Sequence, residues 1–153
     1  MDTPSAQAHI EVSAPASQVY ALVSDLSGMA SLATEYTRGR WLGGADGPRV
    51  GARFRGSNRR GVLRWSTVST VTDAWPDRFG FEVSALGLRV SRWQYDIEPT
   101  GSGCRVTEST WDRRAAWLRP LTVLATGVRD RAHENQRNIE STLARLKEVA
   151  ERA

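Results

Sequence analysis

At 153 residues, 40% hydrophobic and 25% charged, the chain has the makings of a single domain, residues 1–153, around one sizeable core. The lone Cys104 excludes an internal disulfide, and with only His9 and His133 beside it no metal site is expected; there is no P-loop, serine elbow or dinucleotide fingerprint, so no cofactor is called for either. The net charge of +4 rests almost wholly on arginine, Lys147 being the only lysine, and the absence of a long apolar run or of a signal peptide's charged and apolar regions in residues 1–8 argues against transmembrane insertion and for the cytoplasm.

Residues 1–7 are small and polar and read as a loose lead-in. Residues 9–13 alternate, Ile10 and Val12 on one face and His9 and Glu11 on the other, as a half-buried strand does. Pro15 then suits a helix's first turn, and Val19, Tyr20, Leu22, Val23 and Leu26 supply an apolar face. Gly28 interrupts residues 25–33, which predicts a second short helix or a kink.

From 36 to 111 the punctuation is that of an antiparallel meander. Strands are predicted at 36–42, 52–56, 62–75, 78–84, 89–98 and 104–112. They are separated by a glycine-rich turn at 43–48, a basic hairpin tip at 58–61, Pro76-Asp77 and a turn at 99–103. Arg38, Arg40, Arg49, Arg53, Arg55, Arg59, Arg60 and Arg64 form a local basic excess. Solvated strand faces and hairpin tips account for it better than nucleic acid or an anionic membrane, because no nucleic-acid motif accompanies it.

The last stretch, 119–152, repeats Leu121, Leu124, Val128, Ala132, Ile139, Leu143, Leu146 and Val149 every three or four residues, which predicts one long amphipathic helix with Pro120 in its first turn. Its apolar stripe must lie against the predicted sheet. Two residues break the stripe. Gly127 either marks a bend or admits a close approach to the backbone, and Asn135 puts an amide on the dry face, where it either bonds a strand side chain or faces a cavity. Six tryptophans exceed what core filling needs, so some are expected to line a cavity.

The order strand, two short helices, six strands, long helix resembles the helix-grip fold of the START, Bet v1 and polyketide cyclase/dehydrase superfamily, SRPBCC. The resemblance is carried by residues 10–25 (Ile-Glu-Val-Ser-Ala-Pro-Ala-Ser-Gln-Val-Tyr-Ala-Leu-Val-Ser-Asp), Gly51-Ala52-Arg53-Phe54, Trp65-Ser66-Thr67, residues 78–83 (Arg-Phe-Gly-Phe-Glu-Val) and Val106-Thr107-Glu108-Ser109. It implies an α+β fold in which a curved antiparallel sheet of about seven strands wraps a long C-terminal helix. Residues 31–36 differ from related sequences, which commonly carry a tryptophan and a proline there, so a differently shaped cavity mouth is expected.

A sheet gripping a helix leaves room for an apolar cavity with a few polar groups. Trp65, Phe81, Trp93 and Tyr95 are the candidate aromatic lining, with Gly127, Val128 and Asn135 on the helix side; the alternative is that the aromatic residues fill the core completely. Glu108 alternates in register with Val106 and Thr110, so if Val106 points into the core Glu108 points there too, and a buried carboxylate must find an arginine or amide partner or have its pKa raised. Arg64, Arg92 and Arg129 are candidate partners, and Asn135 could complete a polar cluster with Glu108 or Tyr95. The expected function is binding, for carriage or sequestration, of a small hydrophobic or aromatic ligand. The resemblance also implies an alternative, a polyketide cyclase, aromatase or dehydratase acting by shaping and proton transfer, for which Tyr95, Glu108 and Arg64 are the candidate catalytic residues. An exposed sheet edge leaves a homodimer possible.

Overall fold

The structure, a computed structural model, describes residues 2–32, 36–127 and 130–153. Seven antiparallel strands form one sheet: β1 (Ala6–Val12), β2 (Tyr36–Trp41), β3 (Arg53–Arg60), β4 (Leu63–Trp75), β5 (Arg78–Ala85), β6 (Leu88–Thr100) and β7 (Gly103–Asp112). Their order across the sheet is β1-β7-β6-β5-β4-β3-β2. After β1 come α1 (Ala16–Ser24) and a 3-10 turn (Gly28–Ser31); after β7 come α2 (Leu118–Thr126) and α3 (Arg131–Arg152). The expected α+β helix-grip architecture is therefore present, with strand ends displaced by a few residues.

The displacements have a common cause. β1 begins at Ala6, inside the expected lead-in, because β7 runs on to Asp112 and offers partners there: Ala6 pairs with Thr110, and Ser5 N–H donates to the Thr110 carbonyl at 2.8 Å. β3 likewise runs through the expected tip to Arg60, opposite Leu63, so that only Gly61, at φ 62°, and Val62 turn the chain. Where a neighbouring strand supplies hydrogen bonds, polar residues without strand propensity join the ladder.

Register shifts at Tyr36/Arg38, Val71/Asp73 and Val83/Ser84 interrupt the ladders of β2, β4 and β5, the kind of irregularity that bends strands and curls a sheet. Val71, Phe79, Tyr95, Ile97, Cys104 and Val106 are buried beneath the helices, whereas Arg92, Gln94 and Asp96 alternate onto the other face. There Arg92 donates to Asp73 Oδ2 and Thr72 Oγ1, each at 2.7 Å, and Gln94 donates to Asp96 at 2.7 Å. α1 buries Val19 and Val23, and its Tyr20 meets Phe79 edge to face at 6.3 Å.

The single helix expected over 119–152 is instead two. α2 ends at Gly127, whose φ of 73° is left-handed and whose N–H closes on the Val123 carbonyl at 2.7 Å. A Cβ there would also stand 2.9 Å from Leu63 Cδ1, so both backbone and space call for glycine. α3 starts afresh, with Asp130 accepting from His133 N–H at 3.1 Å as its N-cap. The apolar stripe divides accordingly: Ile139, Leu143 and Leu146 are buried, while Leu121, Leu124, Ala132 and Val149 are exposed. Val128 lies outside the described residues. α3 also covers the outer edge of β1: Gln136 exchanges two 3.0 Å hydrogen bonds with the Gln7 backbone, Lys147 donates to the Glu11 carbonyl, and Glu151 accepts from Ser13 N–H.

Candidate functional site

Between the concave face of the sheet and α2 and α3 lies a cavity of about 640 Å³. Alternation along β4, β5 and β6 sends Trp65, Phe81, Trp93 and Tyr95 into its wall, so these aromatic side chains border an opening rather than filling the core completely. Phe54 and Tyr36 extend the aromatic surface on the β2–β3 side, their rings 6.2 Å apart. Two strand glycines make room for them. A Cβ at Gly39 would collide with Phe54 Cε1 at 2.2 Å, and one at Gly56 would stand 2.9 Å from Tyr36 Cε2. At the mouth, Arg114 grips both carboxylate oxygens of Asp112 at 2.9 and 2.7 Å and donates to Thr122 Oγ1 at 2.6 Å, tying α2 to the end of β7.

Glu108 is the polar centre. Its register places it directly opposite Tyr95 across β6 and β7, and it is 3% exposed. The Tyr95 hydroxyl donates to Glu108 Oε1 at 2.8 Å, whereas Oε2, equally buried, has no partner among the described residues. Burial pushes the Glu108 carboxyl up to about 8, the hydrogen bond from Tyr95 opposing that rise only in part. Burial, and then the neighbouring carboxyl, push the Tyr95 phenol well above its usual value. Near neutrality the carboxyl is therefore mostly protonated. With Oε1 already accepting from tyrosine, its proton belongs on Oε2, the oxygen without a protein partner. The pair can offer a hydrogen-bond donor or a proton to a ligand oxygen in an apolar surrounding.

The arginine candidates stand elsewhere. Arg92 is on the opposite face of β6 and is held by Asp73; Arg64 is exposed near the hairpin end of β4, opposite Arg59; Arg129 lies outside the described residues. A solvent-facing strand position removes Arg64 from the neighbourhood of Glu108, since alternate side chains of β4 face opposite ways. Asn135 is buried and lines the cavity from α3, but no hydrogen bond joins it to Glu108 or Tyr95 among the described residues. Gly127 terminates α2 rather than lining the cavity.

Sequence reasoning passed over Tyr36. Its hydroxyl is buried in the cavity wall without a partner among the described residues, and burial, then the charge of Asp25, raises its pKa. The legible signal was Gly56, a glycine inside a strand, which marks a close approach by another group. Among the described residues no helix is long and apolar enough to cross a membrane, and no group of three His, Cys, Asp or Glu side chains stands ready to hold a metal ion.

Comparison with known structures returns the same architecture. The di-domain ARO/CYC StfQ from the steffimycin biosynthetic pathway aligns with a TM-score of 0.73 at 14% identity, covering 95% of this chain and 50% of StfQ, so the present chain spans about half of that protein. The polyketide-cyclase-like protein Cgl2372 from Corynebacterium glutamicum aligns with a TM-score of 0.63 at 26% identity, covering 97% of this chain and 93% of the other. TTHA0849 from Thermus thermophilus gives 0.63 at 23% identity, with 94% of each chain covered. No curated protein sequence matches. The family described as polyketide cyclase/dehydrase and lipid transport matches residues 3–151, nearly the whole chain, and the chain belongs to that family.

Proposed function

We propose that this chain binds a small, hydrophobic, flat-faced molecule bearing an oxygen acceptor, in the cavity between the sheet and the C-terminal helices. The observation that carries the reading is Glu108 Oε2, buried and without a partner among the described residues, set in walls built from Trp65, Phe81, Trp93 and Tyr95. Leaving a buried polar group unpartnered costs on the order of 1–3 kcal/mol, and a ligand carbonyl or hydroxyl recovers that cost. The aromatic walls supply area and the Glu108–Tyr95 pair supplies orientation. The likeness to an ARO/CYC protein supports a polyketide-type ligand in particular.

A second reading, acid catalysis on such a ligand, is favoured by one specific feature. A carboxyl with a pKa near 8 is poised to give and regain a proton at neutral pH. Carriage and catalysis separate in one experiment: native mass spectrometry of the protein from its own cells, with Trp93→Ala and Glu108→Gln alongside, and titration of each with anthraquinone read by tryptophan fluorescence. Binding alone predicts that Trp93→Ala weakens anthraquinone about tenfold, that Glu108→Gln, which keeps a donor at the same place, binds nearly as wild type, and that the same co-purifying compound is found in wild type and Glu108→Gln. Catalysis predicts a compound retained only by Glu108→Gln. Unchanged affinity in Trp93→Ala overturns the cavity assignment.

A further inference from the structure

Around the mouth of the cavity the chain displays apolar side chains at places where a water-facing surface would be polar. At the β5–β6 hairpin tip Leu86 is fully exposed and holds φ 52°, a left-handed conformation that a branched side chain adopts only at a cost. Val62, at the β3–β4 tip, is 95% exposed, and Trp117, just before α2, is exposed with Leu121 and Leu124 of α2, the last 81% exposed. These belong to one region. Leu86, Trp117 and Leu121 all border the same cavity, and the end of α2 at Gly127 touches Leu63 beside the β3–β4 tip.

The two segments that supply the β3–β4 tip and α2 carry charge of one sign. No acidic residue occurs between Asp46 and Asp73, nor between Asp112 and Asp130, the two segments that supply the β3–β4 tip and α2. Arg60, Arg89 and Arg119 each have one carboxylate within 4.0 Å, those of Glu134, Glu82 and Asp112. Arg59 and Arg64 have no carboxylate within that distance among the described residues, and both are exposed. Protruding apolar tips with arginines around them match the two layers of an anionic bilayer surface, headgroup phosphates outside and acyl chains within. A protein partner would instead require a surface into which these separate projections pack, and they stand as isolated tips on three elements.

We infer that the α2 face and the β3–β4 and β5–β6 hairpin tips form a docking surface for an anionic membrane, presenting the cavity mouth to the bilayer. Vesicle binding needs no cavity ligand, so this inference and the proposed function stand or fall separately. The test is flotation with vesicles of phosphatidylcholine alone and of equimolar phosphatidylcholine and phosphatidylserine, at low and physiological salt. Wild type, Leu86→Asn, Leu124→Gln and Arg64→Gln are compared, each checked for native near-UV circular dichroism. Asparagine accepts the left-handed backbone at position 86, which guards against misfolding in that variant. The expected result is binding to the anionic vesicles that weakens with salt, falls about tenfold in Leu86→Asn and Leu124→Gln, and falls about fivefold in Arg64→Gln. Absence of vesicle binding at low salt, or binding that the two leucine substitutions leave unchanged, overturns it. So does retention on immobilised polyglutamate that depends on Arg64 but not Leu86, unaccompanied by vesicle binding, since the arginines would then serve an acidic polypeptide.

Discussion

At the scale of single residues, Glu108 couples the site to stability. Its carboxyl, near 4.5 when unfolded, is pushed to about 8 in the fold, so between those values the folded chain holds a proton that the unfolded chain has lost. The stability it contributes is complete below about 4.5 and is lost as pH rises through about 8, a swing of up to about 5 kcal/mol. Denaturant unfolding of wild type should weaken from pH 5 to pH 9, and Glu108→Gln, which cannot ionise, should flatten that dependence; parallel pH profiles for the two would place the buried charge elsewhere. The inward direction of Glu108 was legible from its alternation with Val106 and Thr110. Its partner was not, because Tyr95 meets it through the β6–β7 register, a pairing set by the turn at 99–103 and by neither strand alone.

At the scale of elements, Gly127 decides the form of the C-terminus. In an uninterrupted helix Gly127→Ala would stabilise by about 1 kcal/mol. With φ at 73° and Leu63 2.9 Å from the added methyl, the same substitution should instead destabilise by about 1–2 kcal/mol, read from the urea midpoint. The apolar period over 119–152 is genuine, but period alone does not report a helix end when the repeat resumes in phase beyond it. A glycine in the middle of the pattern and an aspartate three residues on, at the N-cap of α3, are the local signs. The consequence for the site is direct. Ending at Gly127, α2 lines the cavity and is tied to the end of β7 by the Arg114 bonds to Asp112 and Thr122. In the fold Asp112 is held below the usual carboxylate range: burial acts to raise it, but the Arg114 hydrogen bonds and charge outweigh that.

At the scale of the whole molecule, a 640 Å³ cavity in a chain of this size means that part of the apolar interior faces an opening rather than other side chains. A ligand that fills it binds only the folded state, and at a hundredfold excess over its dissociation constant it should stabilise by about 2.7 kcal/mol, raising Tm by roughly 5–10 °C. Thermal melts with and without anthraquinone test this, and an unshifted Tm at saturating probe would deny that the probe enters the cavity. A shift of the same size in Trp93→Ala would show that Trp93 is not part of the binding wall.

The amino-acid sequence by itself determined the number and order of the strands and the inward or outward direction of most strand residues, which follow from side-chain period and turn chemistry and are local. Its motifs also carried the resemblance to the family. Tertiary structure decided which side chains meet. It drew β1 and β3 past their expected ends by hydrogen bonding, ended α2 at Gly127, joined Tyr95 rather than an arginine to Glu108, and set Tyr36 over Gly56. It also left the space between sheet and helices hollow, because how far a sheet curls depends on its bulges and on what its helices rest upon, and no single stretch of chain carries that information.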